Sequence, residues 1–328
     1  MAPPVLRVGL IGNGTVGAAF ASALSANQER VTQRIGRPLR LTQVVVRDPD
    51  RHRRALPSIR VHDDPEGLAN DPSIDVIVEA SGAPDAARWL RRAMERGAAA
   101  VSANKLAIAT DPLLLAAIAR RHPLFHCEAA VAAALPIVRA LRDSLDGEEI
   151  LALRGVLNGT TTFMLTEIEA GAGFDQALNT ARRHGYAEAD ASADLTGRDA
   201  AAKLAILATL AWRAPVTLSD VPTRGIDPDV IHLVQTARAL GQRVRLVAEA
   251  TRSTGLQLCV EPQVLASNDA LARAEGVVNV VEVQSALAGS LTWYGAGAGG
   301  TRTASALLGD LLAAARALAG SRADRIAA

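Results

Sequence analysis

Lysine is nearly missing from this chain: Lys105 and Lys203 stand beside 33 arginines. Arginine has been used wherever a plain positive charge suffices. The lysine ammonium differs in being compact and able to release its proton when its surroundings shift its pKa. Both lysines are therefore candidates for proton transfer, or for point-charge contacts that a guanidinium fork cannot make. Cysteine is as scarce. Cys127 and Cys259, with no CxxC pair, argue against a disulfide framework and fit a reducing compartment. Both lie in strand-like apolar runs, which suits core packing better than nucleophilic attack. The six histidines include no pair at metal-ligand spacing, so no transition-metal site is expected. A net charge of +1, with arginine spread along the chain, offers neither nucleic acid nor an anionic membrane a basic face. No charge-free apolar run reaches the roughly 18 residues of a membrane span. No basic-then-apolar leader precedes the first strand, so a cytoplasmic protein is expected. Internal repeats and low-complexity linkers are also lacking.

What is present is enough for two domains: 328 residues, 49% of them hydrophobic. The first part alternates strand-like runs (5–11, 41–46, 74–80, 98–102, 124–130) with helical stretches such as 85–96 and 112–121. That alternation predicts an α/β fold with a doubly wound, Rossmann-type parallel sheet. The first strand ends in Gly12, Asn13, Gly14, Thr15, Val16 and Gly17, and an Ala-rich helix follows. Placed between strand and helix, these residues form a dinucleotide fingerprint. Its first glycine allows a tight turn, its second lets backbone approach a pyrophosphate, and its third lets the helix pack close. The end of the second strand sorts the nucleotide. A carboxylate there bonds a ribose 2′-hydroxyl, whereas arginine pairs with a 2′-phosphate. Arg47, then Asp48, with Arg51, Arg53 and Arg54 behind, leans towards NADP and leaves NAD open. Lys105 closes another strand, at the carboxyl end where ligands of such sheets bind.

After about residue 135 the pattern changes. Helical stretches are expected at 135–145, 163–169, 175–183, 198–212 and 229–240, and strands at 150–156, 244–250, 256–264 and 277–283, with a polar turn at 158–162. This is a second, α+β domain with a mixed or antiparallel sheet. Within this second domain, Glu188, Asp190, Asp194 and Asp199 crowd into twelve residues ahead of an apolar run, Leu204 to Trp212. Thr196 and Asp199 are spaced as a capping box, which predicts a helix starting at about Gly197. On it Asp199 and Lys203 share a face one turn apart, and the rest is apolar all round, as in a fully buried helix.

Five motifs together resemble homoserine dehydrogenase: GNGTVG (12–17), SANKLAIAT (102–110), GVLNGTTTFML (155–165), GYAEADASADLTGRDAAAKLAIL (185–207) and GAGAGGTRTASALLGD (295–310). The longest is the most specific, and the resemblance runs from residue 5 to about 318. It implies a nucleotide-binding domain at 1–134, completed by a C-terminal helix at 300–322, and a substrate-binding and dimerisation domain at 135–299. It also implies reversible NAD(P)-dependent oxidation of L-homoserine to L-aspartate 4-semialdehyde, in threonine, methionine and isoleucine biosynthesis, by a homodimer. By the same resemblance Lys203 is the catalytic acid–base and Lys105 the lysine beside nicotinamide and substrate. Glu188 binds the substrate's amino group, with Asp194, Asp199, Tyr186 and Thr160 around it. Gly12, Gly14, Thr15, Val16, Gly17, Ser81, Ser102, Lys105 and Gly299 are the implied cofactor contacts, to which the loop and strand-end readings above add Asn13 and Arg47. Glu128 and the carbonyls of Val131, Ala133 and Leu135 are the implied ligands of a monovalent cation, sodium or potassium.

The chain also departs from the family pattern. Ala132 and Ala134 stand where glycine is usual, Thr162 replaces a common Asn, and Arg302 a common Pro. The chain ends where many relatives continue into a regulatory domain, so feedback control through such a domain is not expected. Removing a hydroxyl proton as hydride leaves needs a base whose pKa lies near working pH. A lysine qualifies only where burial or a neighbouring cation destabilises its ammonium, and nearby carboxylates act the other way. Lys203, assisted by Lys105, is the expected proton carrier, while the cofactor carries the hydride. Two other readings remain open: a different NAD(P)-dependent dehydrogenase, such as one attacking the same aldehyde through a thiol, and a non-catalytic NAD(P)-sensing protein.

Overall fold

The computed structural model describes residues 4–327, and the side chains of 4–319. The chain divides into two compact units, Met1–Ala134 with Gly299–Ala328, and Leu135–Ala298. In the first, β1 (Leu6–Ile11), β2 (Leu39–Val45), β3 (Arg60–His62), β4 (Val76–Glu79), β5 (Ala99–Ser102) and β6 (Phe125–His126) form one sheet in the order β3-β2-β1-β4-β5-β6. Every pairing is parallel. All of β4 and β5 is buried, which is why they read as continuous apolar runs: helices cover both faces. Sequence order reverses on the two sides of β1, so the ligand crevice of this sheet lies at the carboxyl ends of β1 and β4. The helix Thr15–Ala26 leaves β1 and shares a core with the C-terminal helix Gly300–Ala327 through Phe20, Leu24, Leu307 and Leu311.

The strand expected at 124–130 is only Phe125–His126, and the chain turns into a 3-10 helix at Glu128–Ala130. The Glu128 N–H is donated to the Asp310 carboxylate at 2.8 Å, so it is lost to any strand ladder. Ala132 and Ala133 then take left-handed φ values of 52° and 49°, which complete the turn.

The second unit is built on β7 (Ile150–Val156), β8 (Arg243–Arg252), β9 (Leu256–Leu265), β10 (Val278–Ser285) and β11 (Gly289–Ala296), in the order β11-β10-β7-β8-β9. This sheet is antiparallel throughout. β11 is not legible in the sequence: it is a half-exposed edge strand that begins with glycine and has a weak alternation. The helix Arg198–Trp212 packs on β7 and β8, and every residue from Asp199 to Leu210 is buried. Each large aliphatic side chain so buried is worth about 1.5–3 kcal/mol. The expected capping box does not form. Gly197, at φ +79°, turns the chain into the helix, and the Thr196 hydroxyl is donated back to the Ser192 carbonyl at 2.7 Å. The expected turn at 158–162 is also helical. The helix Gly159–Glu169 starts early because Asn158 Oδ1 accepts the Thr161 N–H at 2.8 Å, which caps it. The helix expected at 135–145 is a short α turn, Ile137–Arg139, running into a π turn, Ala140–Ser144. Among the described residues no helix is long and apolar enough to cross a membrane.

Candidate active site

The fingerprint loop has the shape a pyrophosphate needs. Gly12 has φ +91°, and a Cβ on it would lie 2.6 Å from Ser81 Cα. A Cβ on Gly17 would overlap the Gly12 carbonyl oxygen, so only glycine lets the helix sit this close to β1. A Cβ on Gly14 would meet nothing within 4 Å, so the space over that residue is open. Gly14 also caps the helix Thr15–Ala26 without a side-chain acceptor, which leaves first-turn N–H groups for an anion. Val16 packs against the core. Asn13 Nδ2 bonds His52 Nδ1 at 3.1 Å, which ties the loop to the segment after β2. Arg47 is exposed just beyond β2, while Asp48 accepts the Arg51 N–H and caps the helix Pro49–Arg53. Gly299 has φ +122°, and a Cβ on its neighbour Gly300 would lie 2.9 Å from Thr15 Cγ2. These residues fit a bound dinucleotide.

Further along the same crevice lies a carboxylate that the sequence reading missed. Glu79 ends β4 with no solvent exposure (0%). Its Oε1 accepts the N–H and the hydroxyl of Ser81 at 2.8 and 2.7 Å, and its Oε2 accepts the Ser102 hydroxyl at 2.8 Å. The signal was there to be read: a single acid at the carboxyl end of an otherwise apolar buried strand. Asn104 caps the short helix Lys105–Ala109, so Lys105 is held as its first residue, half-buried. Glu128 is buried beside the left-handed Ala132 and Ala133. Among the described residues no three His, Cys, Asp or Glu side chains gather as a metal cluster. Leu135 opens the second unit.

In the second unit a continuous polar chain forms. The Thr160 hydroxyl lies 2.9 Å from Asp194 Oδ2 and 2.7 Å from the Tyr186 carbonyl. Asn158 Nδ2 is donated to Asp194 Oδ1 at 2.7 Å and to Asp199 Oδ2 at 2.9 Å. Lys203 Nζ is donated to Asp199 Oδ2 at 2.7 Å and to the Leu157 carbonyl at 2.6 Å. Asp199 and Lys203 are 6% and 8% exposed. Asn158 is the second residue missed from sequence. With Oδ1 capping a helix and both Nδ2 hydrogens donated, its side chain has one orientation only. Glu188 is exposed on the adjoining loop, and Tyr186, also exposed, stacks on His184 with Phe163 edge-on to both rings. Asp190 accepts bonds from Ser192, which hold its carboxyl below the usual range. The thiol route finds no support: burial pushes the Cys259 thiol up, Glu261 and Glu249 add to this, and Cys127 is buried.

Two family models match the chain: homoserine dehydrogenase over residues 136–312, and the homoserine dehydrogenase NAD-binding domain over residues 12–128. The homoserine dehydrogenase of Mycobacterium tuberculosis (strain ATCC 25618 / H37Rv) is 39% identical over 328 residues, 97% of this chain and 74% of that protein. The crystal structure of a homoserine dehydrogenase from Thiobacillus denitrificans has a TM-score of 0.89 at 36% identity, over 95% of this chain and 74% of that one. A hyperthermophilic archaeal homoserine dehydrogenase mutant, in complex with NADPH, has a TM-score of 0.80 at 27% identity, over 95% and 98% of the two chains. With both units matched, the chain belongs to the homoserine dehydrogenase family of NAD(P)-dependent oxidoreductases.

Proposed function

We propose that the chain interconverts L-homoserine and L-aspartate 4-semialdehyde, with Lys203 as the proton carrier. The observation that carries this is the hydrogen-bonded chain from Thr160 through Asp194, Asn158 and Asp199 to Lys203. Asp199 and the Leu157 carbonyl aim the Lys203 amine. It takes the hydroxyl proton of homoserine in one direction and returns it in the other. Bound NAD(P) supplies the nicotinamide that accepts and returns hydride. Glu188 binds the substrate's ammonium, with Thr160 and Tyr186 forming the rest of that subsite. In the nucleotide unit the Gly12–Gly17 loop cradles the pyrophosphate, and Lys105 places a cation at the end of β5. Arg47 pairs with a 2′-phosphate, which favours NADP over NAD. Glu128 with the carbonyls of Val131 and Ala133 holds sodium or potassium. The enzyme works as a cytoplasmic homodimer.

The test follows absorbance at 340 nm with L-homoserine and NADP or NAD at alkaline pH, with and without sodium or potassium. Homoserine-dependent reduction of NADP is expected. Its absence with purified, folded protein overturns the assignment. Arg47→Ser should raise KM for NADP and leave that for NAD in place.

A further inference from the structure

Within the nucleotide-binding reading, on which it rests, we infer that Glu79 is a positioning residue: it fixes Ser81 as a hydrogen-bond acceptor towards the nicotinamide half of the cofactor. The phosphate end of the crevice belongs to the loop after β1 and the adenosine end to the segment after β2. β4 lies on the other side of β1, paired through Ile11 and Glu79, so its carboxyl end faces the remaining, nicotinamide half.

Hydrogen-bond arithmetic sets what is offered there. A carboxylate only accepts, and a serine hydroxyl has one proton and two lone pairs. Ser81 and Ser102 both spend that proton on Glu79. Ser102 Oγ also accepts the Asn104 N–H at 3.0 Å and has no solvent exposure (0%). Its place is therefore internal: it braces Asn104, which is donated to the Ala83 carbonyl at 2.9 Å and caps the helix that Lys105 begins. Ser81 Oγ accepts the Ala83 N–H at 3.1 Å, is exposed and abuts Gly12. Its one remaining valence is a lone pair. A phosphate oxygen, itself an acceptor, finds no partner in it. A ribose hydroxyl or a carboxamide N–H does, so the hydroxyl selects the donor-bearing half of the cofactor.

Glu79→Gln would keep its oxygen on the two Ser81 donors and turn only Ser102 round. The informative change is therefore Glu79→Met, which removes both acceptors at similar volume and frees the Ser81 hydroxyl to turn. NADPH binding is read by its fluorescence in wild type and E79M. Adenosine 2′,5′-bisphosphate, which reaches only the adenosine end, is titrated in parallel by calorimetry. The expected result is a rise of about tenfold in the Kd for NADPH, the size of one or two lost hydrogen bonds, with the bisphosphate changed less than about twofold. An unchanged Kd for NADPH, or equal weakening of both ligands, overturns the inference. A wild type that binds neither ligand, nor NADH, overturns the nucleotide-site reading itself. Should E79M not fold, Ser81→Ala and Ser81→Thr carry the same test: alanine weakens NADPH alone and threonine restores it. If alanine leaves the Kd for NADPH unchanged, the inference falls.

Discussion

Lys203 Nζ and Asp199 Oδ2 are 2.7 Å apart on one face of the helix Arg198–Trp212, and both side chains are at least nine-tenths buried. An exposed pair at this spacing contributes only about 0.3–0.5 kcal/mol, but removing one partner of a buried pair costs about 3–5 kcal/mol. Lys203→Met should therefore lower stability by an amount in that range and cut turnover by roughly two or more orders of magnitude. Adding Asp199→Asn should recover much of the stability in urea unfolding and none of the turnover. Recovery of both together would reduce the pair to a structural one.

Asn158 separates two duties that are measurable apart. Asn158→Ser keeps a capping oxygen for the Thr161 N–H but removes the bridge between Asp194 and Asp199. Turnover should drop at least tenfold, because the Asp199 oxygen that accepts from Lys203 Nζ is no longer held by Asn158, and the melting temperature should fall modestly for the two buried bonds lost. Asn158→Ala should lose about 1 kcal/mol of stability in addition.

Gly17→Ala places a methyl group against the Gly12 carbonyl oxygen. The helix must shift off β1, which deforms the loop and points first-turn N–H groups away from the pyrophosphate. Affinity for NADPH should fall at least tenfold, read by fluorescence titration, with a lower melting temperature. Gly14→Ala, with nothing within 4 Å of the added Cβ, should fold normally and lose affinity alone.

Two histidines of the nucleotide unit predict an acid-side loss of stability. Burial, then Arg60, lowers the pKa of His62, and burial, then Arg120, lowers that of His122. Their Nδ1 atoms accept the N–H of Asp64 at 3.4 Å and of Leu124 at 3.3 Å, which a protonated ring cannot do. The unfolded chain therefore binds protons more readily than the folded one. This stabilisation is full above the ordinary histidine value of 6.5 and is lost as pH falls from there through the lowered folded values. Melting temperature should drop between about pH 7 and pH 5, and the slope should flatten in the His62→Asn, His122→Asn double variant.

The sequence by itself determined the alternation that makes a parallel sheet, the glycine spacing at 12–17, and the two lysines set in their motifs. These are local properties: periodicity, backbone freedom and residue type act over a few positions, so they can be read without knowing the fold. Tertiary structure alone decided that Asn158 joins Asp194 to Asp199, 36 and 41 residues away, and that Glu79 reaches Ser102. It also decided that Asp310 takes the N–H of Glu128 and shortens β6, and that Gly197, not a Thr196 side chain, starts the helix bearing Lys203. A side-chain hydrogen bond between distant segments leaves no periodic trace in either one. It exists only once the sheets and helices have brought both ends within about 3 Å of each other.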